Sequence, residues 1–180
     1  LSIEGLVKIR HTGLQHFLVE FLDHSSAQTR SDAAWGLSQL GDIPPETEIK
    51  LVKMASSERP SIRIQALRAL RWFPNSDLAY QVINDCLEDE LWAVCATAVA
   101  SLELFRRDES LKPLFWLMEN EAGRVRSDAI KALELLTGEN FGASMHTWKS
   151  WYADQGDTYT LPTKEQANAM INARKNKSKH

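Results

Sequence analysis

Arg30-Ser31-Asp32-Ala33-Ala34-Trp35-Gly36-Leu37 returns, altered but recognisable, three more times along the chain. It comes back as Arg63-Ile64-Gln65-Ala66-Leu67-Arg68-Ala69-Leu70, as Ala93-Val94-Cys95-Ala96-Thr97-Ala98-Val99-Ala100 and as Arg126-Ser127-Asp128-Ala129-Ile130-Lys131-Ala132-Leu133. With Ala33, Ala66, Ala96 and Ala129 as anchors, the spacings are 33, 30 and 33 residues. Three of the four copies place an Arg three residues before the alanine. Small or apolar residues follow at +3 and +4. Apolar positions at i, i+3, i+4 and i+7 make one stripe of an amphipathic helix. A period near 32 residues marks a repeat architecture in which each unit buries its core against its neighbours.

A second amphipathic stretch precedes each copy. These stretches are centred on Leu14–Leu22, Ile49–Met54, Leu78–Ile83 and Leu111–Met118. Each unit therefore reads as a helical hairpin, outer helix then inner helix. The punctuation agrees. Gly41 followed by Pro44 and Pro45 stops one helix, Pro74 with Asn75 and Ser76 stops another, and Gly138 and Gly142 close the fourth unit. Pro113 falls in a first helical turn, where its missing N–H costs little. No stretch alternates in the manner of a strand.

Arg-x-x-Ala-x-x-Ala-Leu on the second helix of a recurring hairpin resembles HEAT repeats of the short bacterial type, related to PBS-lyase-like repeats. The resemblance covers residues 3–140, with Ile3, Leu6, Val7 and Ile9 as the remnant of a further inner helix. It implies that Arg30, Arg63 and Arg126 make structural ion pairs, with Asp23, Asp32, Glu58, Glu119 and Asp128 as candidate partners. Ala93 stands where the third arginine belongs, which breaks any continuous ladder of pairs. The segment Leu135–Gly142, with Trp148 and Trp151 after it, looks like a terminal cap of bacterial HEAT-repeat proteins. Physically, the last hairpin has no neighbour to cover its core, so Trp148, Trp151 and Tyr152 on a short helix suit that task.

The expected fold class is thus all-α, an α-solenoid of four to five HEAT-like hairpins with a C-terminal cap. The solenoid is expected over residues 1–156, with inner helices near 30–41, 61–73, 92–104 and 124–137 and a cap over 138–156. A polar basic tail over 157–180 follows. Thr163 with Gln166 fits a capping box that starts a helix over 163–175, and disorder is expected from 176 onward. That helix either docks on the end of the solenoid or frays.

Charge and chemistry narrow the function. Residues 162–180 hold five basic side chains against Glu165 alone, so of the formal −3 the tail carries +4 and residues 1–161 carry −7. An acidic body is poorly made for phosphate neutralisation, which disfavours nucleic acid as partner. No apolar run of membrane-spanning length occurs. The two cysteines, Cys86 and Cys95, suggest neither a disulfide framework nor a zinc site, and a bridge between them stays open. This favours the cytoplasm, although a chain starting at Leu1 leaves a removed leader open. Five histidines form no metal-binding spacing, and His16 reads as a half-exposed neighbour of the core. Neither a phosphate loop nor a nucleophile elbow appears. The expectation is a non-enzymatic chain with no cofactor and no metal.

What remains is recognition. At 100° per residue, Trp35 points away from the stripe of Ala33, Leu37 and Leu40. Its counterparts are Arg68, Ala98 and Lys131, and the next row is Gln39, Trp72, Leu102 and Leu135. On the concave face, Trp35, Arg68, Arg71, Trp72 and Lys131 are the expected partner-binding residues, for indole and guanidinium are the groups most enriched at interface hot spots. Trp92 and Trp116 are assigned to packing. The expected partner is another protein or peptide, acidic or extended in character. Three other readings compete: a subunit of a bilin-lyase-like or tetrapyrrole-handling complex, a HEAT-like DNA glycosylase, and a purely structural array.

Overall fold

A computed structural model describes residues 3–8, 13–41, 43–156 and 159–177. The expectations for Ile9 and for the chain end beyond Lys177 lie outside that set, as does the side chain of Leu6. Among the described residues every regular element is helical. The helices are α1 (Ile3–Lys8), α2 (Leu14–Phe21), α3 (Ala27–Leu40), α4 (Glu48–Ala55), α5 (Pro60–Leu70), α6 (Asp77–Asp85), α7 (Trp92–Phe105), α8 (Leu111–Asn120), α9 (Gly123–Thr137), α10 (Met145–Gln155) and α11 (Lys164–Lys177). The chain divides into two compact units, residues 1–105 and 106–180.

In the first unit α2/α3, α4/α5 and α6/α7 are hairpins. The inner helices α3, α5 and α7 pack in series, and the outer helices α2, α4 and α6 lie on them. Helix starts are chemically set. Ser26 and Ser76 accept hydrogen bonds from the backbone N–H of Thr29 and Ala79, and Pro60 opens α5. Gly41 ends α3 at φ 74°, a conformation glycine adopts without steric cost.

The buried seams fix the repeat register. They are Ala33, Ala34 and Leu37 on α3, then Ala66, Leu67 and Leu70 on α5, then Ala98, Val99 and Leu102 on α7. The third anchor is therefore Ala98, and the spacings to Ala129 run 33, 32 and 31. Ala96 is only half-buried. The alanine-rich text of α7 offers several positions with the right local pattern, and Ala96 fits it two residues early. Two residues are 200° around a helix, so Ala98 and Leu102, expected on the open face, are in the core. Ala100 and Leu104 take the open-face positions. The third position of the arginine row becomes Cys95 instead of Ala93.

In the second unit α8 packs on α9, and both α10 and α11 pack against this pair, α10 on α8 and α11 on α9. Trp148 of α10 is fully buried, donates from its indole to the Gly142 carbonyl at 3.0 Å, and meets Phe141 edge to face at 4.9 Å. Phe115, Trp151, Tyr152 and Tyr159 extend this cluster. Thr163 and Gln166 form the reciprocal cap of α11. The helix docks: Ala167 is buried, and Arg174 bonds the Gly138 carbonyl and pairs with Glu139. Arg106, at φ 46°, sends its guanidinium to the carbonyls of Leu135, Leu136 and Pro162, holding the end of α9 to the segment that leads into α11. Burial and the nearby charges of Asp108 and Glu139 push the Tyr159 hydroxyl up to about 12.

Candidate functional site

Three turns of the first unit are built alike. His24 Nδ1 accepts from Ser26 N–H, Ser57 Oγ from Arg59 N–H, and Asp89 Oδ1 from Leu91 N–H. Each such residue caps the turn into an inner helix, and their spacings of 33 and 32 match the register of the buried seams. The arginines reach back to the same turns. Arg30 Nη1 donates to the carbonyls of His24 and Ser25, and Arg63 Nη1 to those of Ser57 and Glu58. In the third hairpin the shorter Cys95 donates to the Leu87 carbonyl instead, at 3.0 Å.

Arg63 then goes further. Its Nε and Nη2 each bond a carboxylate oxygen of Asp89 at 2.8 Å, with both side chains about nine-tenths buried. This bidentate pair joins two consecutive hairpins, and the bond to Asp89 raises the guanidinium's already high pKa. Asp89 was not among the expected acids. Four of those acids are engaged elsewhere: Asp23 with Lys50, Asp32 with Gln28, Glu119 with Lys149 and Asp128 with Arg124. Arg126 lies half-buried on α9. Sequence spacing alone missed Asp89 because the pair spans 26 residues and depends on how one turn lies against the next hairpin.

The residues proposed for recognition separate. Trp35 is half-buried and lines a groove of about 480 Å³ between α3 and α5, together with Gln28, Asp32, Ser61 and Gln65. Arg68 is exposed on α5, one turn beyond Gln65, to whose side chain it donates at 3.4 Å. Trp72 is 42% exposed. Its indole N–H caps the Ser38 carbonyl at 3.0 Å, and its ring sits against Gly41, where an added Cβ would lie 3.4 Å from the indole. Arg71 stacks over that ring at 5.5 Å. So the cation–π contact joins the chain neighbours Arg71 and Trp72. Lys131 belongs to the second unit, where it is exposed and lies 3.8 Å from Glu134.

The expectations for Trp92, Trp116 and His16 need correction. Trp92 and Trp116, assigned to packing, are 60% and 46% exposed. His16 is well exposed and faces Glu20 at 3.3 Å. Cys86 and Cys95 are free and buried, and burial pushes the Cys86 thiol up to about 11. Among the described residues no helix is long and apolar enough to cross a membrane, and no three His, Cys, Asp or Glu side chains gather as a metal site.

Comparison with known proteins bears on this architecture. A family model described as HEAT repeats matches residues 14–94. No curated protein matches the chain. Among solved structures, a designed armadillo repeat protein in complex with the peptide (KR)4 is similar at a TM-score of 0.55 and 18% identity, covering 95% of this chain and 84% of that one. Computationally designed armadillo repeat proteins for modular peptide recognition give 0.53 and 18%, covering 95% and 85%. An engineered protein gives 0.56 and 18%, covering 93% and 79%. At such identity the likeness speaks for the fold. The family match over residues 14–94 is to HEAT repeats, and the chain has the all-α fold of a repeat solenoid.

Proposed function

We propose that the first unit binds an extended peptide of a partner protein along its inner helices, with no chemistry performed on it. The observation that carries this reading is the groove at Trp35. Its indole supplies a flat apolar shelf with little rotamer freedom to lose. Around it Gln28 and Gln65 present amides that both donate and accept, the pair of functions a peptide backbone asks for. Arg68 is the seat for a carboxylate on that peptide, and the exposed face of Trp72 extends the shelf. A lining this polar suits a peptide better than a tetrapyrrole, and the −7 of residues 1–161 argues against DNA. Two of the structural neighbours are described as a peptide complex and as proteins for peptide recognition, which supports the same use of a shared fold.

The test is panning of the full chain against a random linear peptide library, followed by affinity measurement on selected peptides. Selected sequences should share an apolar anchor near a carboxylate. Trp35→Ala should weaken them by about 2 kcal/mol or more, the size of a hot-spot loss, and Arg68→Ala should relax the preference for the carboxylate. Circular dichroism checks that both variants remain folded. Undiminished binding by the Trp35→Ala, Arg68→Ala double variant would remove this site.

A further inference from the structure

The three alike turns contain one mismatch. Asp89 closes the Arg63 fork from the next hairpin. By the register of the seams, the residue that would close the Arg30 fork is Ser57. Ser57 performs the turn-capping half of Asp89's work, accepting from Arg59 N–H. It has no carboxylate to reach back with. Arg30 spends Nη1 on the two turn carbonyls, as Arg63 does, while its Nε and Nη2 meet no acceptor among the described residues. Between Arg30 and Ser57 lies a cavity of about 630 Å³.

We propose that this cavity is a carboxylate-binding site, in which an Asp or Glu side chain of a partner peptide takes the place that Asp89 holds beside Arg63. The geometry of recognition is already drawn in the same molecule: a planar fork with two parallel N–H···O bonds. The cavity's other walls fit an acidic residue flanked by an aliphatic one. Lys50 and Lys53 line it, and Asp23, the carboxylate already present, is engaged by Lys50 at 2.5 Å. Met54 and the exposed Ile49 supply apolar surface beside the cations. This site lies at the hairpin turns and does not depend on the Trp35 groove.

The experiment is NMR titration of the full chain, following the Arg30 Nε–H signal, with an acetylated, amidated Leu-Asp-Leu peptide and its Leu-Asn-Leu isostere. The Asp peptide should shift that signal and bind at least about tenfold more tightly than the isostere, since only a charged acceptor satisfies the fork. The decisive variant is Ser57→Asp, which supplies the missing carboxylate from within. It should keep the turn cap, melt higher than the parent chain, and lose the response to the Asp peptide. It should leave peptides selected through the Trp35 groove unaffected, which separates the two sites. Equal response to both peptides would overturn the proposal, as would a Ser57→Asp chain that still binds. Acetate binding as tightly as the peptide would overturn its assignment to a peptide segment.

Discussion

At the scale of single residues, the first unit is held by groups that span one hairpin to the next. Arg63 shows how much rests on one of them. Its guanidinium satisfies two turn carbonyls and both oxygens of Asp89. Arg63→Gln leaves Asp89 buried without its counter-charge and strands carbonyls that the fork had covered. Removing one partner of a buried pair costs about 3–5 kcal/mol, so urea unfolding of that variant should show a loss of this size. A loss below about 1 kcal/mol, the value of an exposed ion pair, would mean that the pair is solvated in solution. The arginine row was legible in the sequence because the same residue type recurs at the repeat spacing. Its partner was not, because a turn residue 26 positions away comes near only once two hairpins have stacked. Cys95 was hidden for a related reason: with no arginine to mark the position, nothing in the text of α7 located it.

At the scale of elements, helix ends decide where the chain turns and what docks there. Gly138 ends α9 at φ 76°, and a Cβ on it would stand 2.9 Å from Met170 Sδ and 3.1 Å from the Ala167 backbone of α11. Two penalties coincide in Gly138→Ala: a left-handed conformation costs a residue with a side chain about 1–2 kcal/mol, and the backbone of α11 cannot yield as a flexible side chain would. The expected outcome is release of α11, seen as faster tryptic cleavage at Arg174 and Lys175 with the other helices kept. Cleavage at the parent rate would show that α11 tolerates the methyl. The cap and the helix itself were readable from Thr163 and Gln166, because capping is a local exchange of hydrogen bonds. Docking was not readable, since Ala167 and Met170 carry no sign of the glycine they cover. Helix α7 gave the opposite difficulty. Its surplus of alanine made helix obvious and phase ambiguous, and the phase decides which side faces the neighbouring helices.

At the scale of the whole molecule, the repeat explains why the fold was legible from so little text. Each unit answers the same packing problem, so four imperfect copies state it four times. The open face was less legible. Its composition is not set by packing, and its reading inherits every register error: the third repeat contributes Ala100 and Leu104 to that face, with Ala98 and Leu102 inside. The recognition reading depends on this register, because it states which side chains of α3 and α5 the core has left free. Paired variants on α7 test it most directly. Thermal melts of Ala98→Asp and Ala100→Asp compare the same chemical change on opposite sides of one helix. A carboxylate at the fully buried Ala98 should cost on the order of 4 kcal/mol and abolish or sharply lower the cooperative melt, while Ala100→Asp should melt within a few degrees of the parent chain. Equal melts, or the greater loss at Ala100, would contradict the stacking described here.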